Sequence, residues 1–210
     1  MINIPLGNKS NGEVLVVDLV FLSNLFLSYF SNKQFLKFYS QIINSYNGVN
    51  YLLICKSENV FNNKGFTNIE TYIYDNPANG SITNRKELLK GINRSLVRLR
   101  KQGKKMSITQ LIVIDDIFIL ASKLDQIGMR QFKNLLNYGS TAGIYFIIGS
   151  VLPYRNLLKQ LMVDQSTESK IKNNPTNELG AEIIFNPDGL IFYREKNIFE
   201  YKSLYPIIEI

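Results

Sequence analysis

The chain has 210 residues, 45% hydrophobic and 20% charged, enough for one α/β domain with a buried core and too few for two substantial ones. One cysteine, Cys55, and no histidine exclude a disulfide framework, a Cys/His zinc cluster, a Ser-His-Asp triad and a Cys-His pair. Twenty-four Lys and Arg against 17 Asp and Glu give a net +7, which suits nucleic acid, anionic lipid or an acidic protein and selects none of them.

The N-terminus lacks the basic stretch, apolar core and cleavage site of a signal peptide, and the domain reads as cytosolic. From Val14 to Phe30 the chain is apolar for nearly the span of a bilayer. Asp18 near its middle costs about 2.5 to 3.5 kcal/mol on insertion scales, and Ser23 and Asn24 interrupt the run. Two short buried strands, over 14–19 and 24–29, are expected instead of a membrane span. A helix over 33–46, ended by Asn47 and Gly48, and a strand over 51–55 follow, a strand, helix, strand order that suits a parallel pair.

A polar stretch over 57–68 separates this unit from a β-like run at 70–74, and DNPANG, over 75–80, is a loop. A second helix is expected from Thr83, as N-cap, to Gln102, with Gly103 as its stop. Leu89, Ile92, Leu96 and Leu99 fall on one side of it and Lys86, Lys90, Arg94 and Arg98 on the other. The most strand-like segment, LIVIDD over 111–116, delivers Asp115 and Asp116 at its carboxyl end. A third helix over 125–141 is expected to place Leu124, Ile127, Phe132, Leu135 and Leu136 on a common face. A buried strand over 142–150, closed by Pro153, a short helix over 154–162 and a loop over 163–177 come next. The end of the chain reads as antiparallel strands over 182–186, 190–195 and 197–204.

Strands alternating with helices, with an apolar strand ending in Asp115 and Asp116, form the pattern of a P-loop NTPase core. The first acid then holds Mg²⁺ through water and the second orients the attacking water. Such a core also needs a glycine-rich loop ending in Gly-Lys-Ser/Thr, whose amides curl around a phosphate. At that place the chain reads LSYFSNKQ, over 27–34. Lys33 matches the phosphate-binding lysine, but Asn32 stands for the last glycine and Gln34 for the Mg²⁺-binding hydroxyl. Tyr29 and Phe30 are expected to crowd the phosphate nest.

GEVLVVDL, LSYFSNKQFLKFYSQII, NRKELLKGINRSLVRLRKQ, LIVIDDIFIL and STAGIYFIIGSVLP stand in the order and at the spacing of FtsK/SpoIIIE-type ATPase domains. Over Ile4 to Leu204 the chain most resembles the C-terminal ATPase domain of the EssC/YukB family of type VII secretion coupling proteins. The resemblance implies one three-layer RecA/FtsK-like α/β domain over 1–210, with a mainly parallel central sheet and an antiparallel C-terminal extension. It also makes Asp115 and Asp116 a vestigial Walker B pair and Lys33 and Gln34 a vestigial phosphate site. Val151 and Leu152 sit where active motors carry a Gln that senses γ-phosphate and an Arg, and Asp116 replaces the catalytic Glu with a side chain one methylene shorter.

The role implied is a cytoplasmic domain of a membrane-anchored protein that recognises secreted WXG-type or LXG-type substrates, beside neighbouring ATPase domains of the same chain. No cofactor is expected, nor a nucleic-acid partner, nor insertion of this domain into the membrane. Two alternatives stay open: a motor in which Lys33, Asp115 and Asp116 hold MgATP with an arginine from a neighbouring subunit, and a DNA translocase. Two surfaces are candidates for partner binding. One is the basic ridge of Lys86, Lys90, Arg94 and Arg98, the other an apolar groove beside Val151, Leu152 and Tyr154. The 13 Phe and 12 Tyr are expected in the core, not on a base-stacking platform.

Overall fold

A computed structural model describes residues 3–29, 38–39, 50–55, 69–73, 90, 93–94, 96–104, 110–114, 117–151, 181–185, 190–195 and 202–204. Its first elements are β1 (Asn3–Asn8), β2 (Val14–Asp18), α1 (Leu19–Leu22), β3 (Asn24–Tyr29), β4 (Asn50–Cys55) and β5 (Ile69–Ile73). A helix, α2, is seen at 90, 93–94 and 96–101. There follow β6 (Gln110–Ile114), α3 (Ile117–Lys123), α4 (Gln126–Tyr138), a 3-10 turn (Gly139–Ala142) and β7 (Ile144–Val151). The last strands are β8 (Ala181–Phe185), β9 (Ile191–Glu195) and β10 (Lys202–Leu204).

Among the described residues one sheet has the order β10-β9-β8-β3-β7-β6-β4-β5. From β8 to β5 every pairing is parallel, with Leu25 opposite both Ile147 and Ala181, and Ile112 opposite Phe146. β9 and β10 continue it antiparallel. All six residues of β3 are buried, because a parallel strand inside the sheet has both faces covered; its polar members Asn24 and Ser28 are buried with the rest.

The covering layers differ. Leu25, Leu27, Tyr29, Leu111, Val113, Ile147 and Ile183 form one face with Ile4, Leu6, Leu19, Leu22, Phe38 and Tyr39 over them. Phe26, Ile112, Ile114, Phe146 and Ile148 form the other, under Leu96, Ile117, Leu120, Phe132, Leu135 and Leu136. This is the expected three-layer α/β arrangement, and the expected strands at 24–29, 51–55, 70–74, 111–116 and 142–150 fall on β3 to β7 within one or two residues.

The segment before β3 corrects an expectation. β2 is not a buried strand: Val14 and Val16 are exposed and only Val17 is buried, since β2 pairs solely with β1 in a two-stranded antiparallel ribbon covered on one side. The β2 run then turns into α1, capped by Asp18, whose carboxylate accepts from the Val20 amide at 2.9 Å. Ser23 makes the reversal into β3 at φ 65, a left-handed conformation that costs a non-glycine residue about 1 kcal/mol or more. Its amide donates to Leu19 at 2.8 Å and its carbonyl accepts from Phe146 at 3.3 Å, which fixes the turn. β1 has no counterpart among the expected elements, and its Pro5, Gly7 and two Asn disfavour a strand locally. Pro is tolerated there on a ribbon edge with a bulge between Pro5 and Gly7.

α4 begins where Asp125 accepts from the Gly128 amide at 2.8 Å. Phe132, Leu135 and Leu136 are buried as expected, but Ile127 is exposed. Five positions from Phe132, it lies roughly 140° around the helix; Gly128 occupies the buried position instead. The C-terminal end of α4 is tied to the sheet by Asn24, which donates from Nδ2 to the Leu136 carbonyl at 3.1 Å. The chain then enters β7 through Gly143, at φ 83, where a side chain would be strained. α3, also not expected, packs Ile117 and Leu120 into the same layer. The expected helices at 33–46 and 154–162 and loops at 57–68, 75–80 and 163–177 lie wholly or mostly outside the described residues.

Phe132 is fully buried and meets Phe146 edge to face at 6.0 Å, so Phe132→Ala is expected to cost about 3–5 kcal/mol in denaturant or thermal melts. A second expectation concerns pH. Tyr145 is buried and its pKa is raised above the ordinary 10.0, by desolvation first and by the charge of Asp18 second. Its neutral phenol therefore supports the fold fully below the unfolded value and loses that contribution as pH rises through the folded one. Melts run across pH 9 to 12 should show a loss of stability that is smaller in Tyr145→Phe.

Candidate functional site

The topology concentrates chain ends. β3, β7 and β6 are adjacent and parallel, so Tyr29, Val151 and Ile114 terminate at one carboxyl edge. The chain leaving β3 runs to β4 on one side, whereas the chain leaving β7 passes over β3 to reach β8 on the other. Such a divergence opens a crevice at the carboxyl edge of a parallel sheet, the usual ligand position in this architecture. Asp115 directly follows Ile114 and Lys33 follows Tyr29 by four residues. Lys33, Gln34, Asp115, Asp116, Leu152 and Tyr154 themselves lie outside the described residues.

What is described at this edge is buried and mostly apolar. Ser28 and Ser150 stand opposite each other in register and are fully buried. Ser150 donates weakly to the Val151 carbonyl at 3.2 Å, while the Ser28 hydroxyl makes no hydrogen bond. The expectation that Tyr29 crowds a phosphate nest is corrected. It is the last residue of β3 and is packed in the core layer with Leu27, Phe38 and Phe185, because residue alternation along β3 turns it to the same face as Leu25 and Leu27. Phe30 lies outside the described residues. Val151 is half-buried against that same layer, so the described member of the expected apolar groove points into the protein.

The basic ridge is a different place. On α2, Leu96 is buried and Leu99 half-buried, while Lys90, Arg94 and Arg98 are exposed, as their spacing requires; Lys86, Leu89 and Ile92 lie outside the described residues. α2 is locked to α4 on the sheet face opposite Val151. The Asn93 amide donates to the Gln131 carbonyl at 2.7 Å and its oxygen accepts from Asn134. Arg100 stacks over the Tyr138 ring at 4.1 Å, a cation–π contact. Beside α2 runs an open groove of about 600 Å³, lined by Lys90, Arg94, Val97, Arg98, Lys101 and Gln102, with Asn93 and Gln131. The sequence reading missed Lys101 and the exposed Val97, which sit within one turn of the ridge. Among the described residues no cluster of Asp, Glu, Cys or His could hold a metal ion. Likewise, no described helix is long and apolar enough to cross a membrane.

No family model and no curated protein sequence matches the chain. Solved structures do. The cytoplasmic domain of the Thermomonospora curvata type VII secretion ATPase EccC aligns over 100% of this chain and 26% of its own, at TM-score 0.68 and 14% identity. ATPases 2 and 3 of the same organism's EccC, in complex with a signal sequence peptide, align over 98% and 40%, at TM-score 0.70 and 13% identity. ATPases 2 and 3 of EssC from Geobacillus thermodenitrificans align over 98% and 41%, at TM-score 0.65 and 10% identity. The chain thus has the P-loop ATPase fold of these secretion proteins and spans between a quarter and about two fifths of their length.

Because an unpaired buried hydroxyl costs roughly 1–3 kcal/mol, Ser28→Ala is expected to leave the melting temperature unchanged or raise it. A fall of several degrees would show that the hydroxyl is bonded.

Proposed function

We propose that this chain is an ATPase-fold domain of a type VII secretion coupling protein whose nucleotide site has been altered, and that it works by binding protein partners. The observation that carries this reading is where the departures fall. The described strands β3, β6 and β7 end at one carboxyl edge of the sheet, and in the sequence each is followed by a departure at the position its chemistry needs. Asn32 and Gln34 replace the last glycine and the hydroxyl after β3, Asp116 replaces the acid after β6, and Val151 and Leu152 replace the Gln and Arg at and after the end of β7. Without the glycine the backbone amides lose their cradle, and without the hydroxyl Mg²⁺ loses a ligand. A general base pulled back by one methylene sits away from its water.

The framework around that edge keeps its packing, with apolar residues of β3 and β7 in both core layers. A scaffold whose chemistry has been changed at three separate points while its packing persists is a scaffold used for its surface. The likeness to EccC and EssC supports a cytoplasmic position within a longer, membrane-anchored protein, next to further ATPase domains. Its substrates are then secreted WXG-type or LXG-type proteins, read through helical signals; the EccC structure bound to a signal sequence peptide supports that partner class. No nucleotide cofactor takes part at this site.

Thermal melts with MgATP test the reading. A site with a dissociation constant near 50 μM would stabilise the fold by about 2.7 kcal/mol at a hundredfold excess of ligand, roughly 5–11 °C for a domain of this size. The expected shift up to about 5 mM MgATP is none. A saturable shift abolished by Lys33→Ala, or ATP hydrolysis by the chain, would overturn the proposal. Affinity capture of secreted helical substrates by the chain without nucleotide is the expected positive result.

A further inference from the structure

The positive charge of this protein is not spread over it. Between Arg85 and Lys105 stand nine of its 24 lysines and arginines against one acid, Glu87, so this segment's +8 exceeds the +7 of the whole chain and the remainder is close to neutral. The described part of this segment is α2. Its cations divide by direction: Arg100 is held on Tyr138, whereas Lys90, Arg94, Arg98 and Lys101 all line the groove. Lys9 pairs with Glu13 in the β1–β2 ribbon, away from this helix, and the described lining of the groove contains no carboxylate. Four exposed cations along one helix face repel one another modestly, and an anionic partner would relieve that repulsion more fully than salt does.

We infer that the α2 groove binds an acidic, amphipathic α-helical segment of a protein partner. This deepens the partner-binding reading above and rests on it. Charge complementarity names the partner's sign, and the shape of the site names its form. Lys90, Arg94 and Arg98 recur every fourth residue, about 6 Å apart, which a row of Glu at the same spacing on a facing helix matches. Lys90 to Lys101 spans roughly 16 Å, about three turns. Val97, 44% exposed, sits among the cations and offers apolar contact to a Leu or Met of the partner, together with the aliphatic stems of the lysines and arginines. Asn93 and Gln131 put amides at the groove wall. A duplex presents phosphates and little apolar surface to seat on Val97, and a bilayer presents acyl chains but no row of anions held at the spacing of Lys90, Arg94 and Arg98.

Fluorescence anisotropy of the full chain with a labelled synthetic helix, carrying Glu at every fourth position and Leu beside that row, tests this. Saturable binding is expected, weakened at least about tenfold in Lys90→Glu/Arg94→Glu and reduced in Val97→Asp, and weakened as strongly when Gln replaces every Glu in the peptide. Lys9→Glu/Lys104→Glu, the same charge change at residues that do not line the groove, should bind as the parent does. Should the double reversal fail to fold by circular dichroism, Arg98→Gln/Lys101→Gln carries the same expectation. Equal binding of the Gln peptide, or indifference to the groove variants, overturns the inference. So does tighter binding of a 20-base-pair duplex or of phosphatidylglycerol vesicles to the same residues. If the chain still captures secreted substrates after the groove is neutralised, the partner-binding function stands and only its location is wrong; MgATP binding would strike the function itself.

Discussion

The whole arrangement depends on β3 being a strand that has no free side. It is paired in parallel on both edges, with β7 and β8, and covered on both faces, so that all six of its residues are buried. A parallel strand in this position obliges its neighbours to be reached by crossovers, and the crossovers must be apolar toward the sheet on both sides. The ribbon, α1 and the Phe38 and Tyr39 region supply one cover and α2, α3 and α4 supply the other. The same constraint sends the chain ends of β3, β6 and β7 to one edge, where an ATPase of this fold keeps its chemistry.

Two surfaces follow from that geometry, and they are independent. The carboxyl edge is a property of the sheet. The strands that end there are packed from both sides, Ile114 and Ile148 toward one layer and Tyr29 and Val151 toward the other. The basic groove is a property of one helix, whose inner face is fixed by Leu96 and Leu99 and whose outer face is then free to vary. Residues at the first surface can therefore vary without disturbing the second.

Much of this was legible in the residues. Charge at every fourth residue, set against Leu89, Ile92, Leu96 and Leu99 at spacings of three and four, marked α2 as amphipathic, and mostly apolar runs marked β3, β6 and β7 as buried strands. The errors have a shared physical origin. β1 carries Pro5 and Gly7, which local propensity rejects and a bulged ribbon accepts. β2 has the composition of a buried strand, yet its position over the sheet leaves Val14 and Val16 in solvent. Ile127 follows the helical count loosely, and the helix turned to bury Gly128 instead. Tyr29 was expected to project toward the phosphate loop from the end of its strand, but strand alternation turned it into the core. In each case tertiary placement, which a linear pattern does not carry, decided the outcome.

The clasp between α2 and α4, made by Asn93 with Gln131 and Asn134 and by Arg100 on Tyr138, has a kinetic meaning. It holds the helix backbone in one place before any encounter, so a visitor to this face freezes side-chain rotamers but no main chain. Association then proceeds as a collision of nearly rigid bodies, quickened by long-range attraction and slowed as ionic strength shortens its reach.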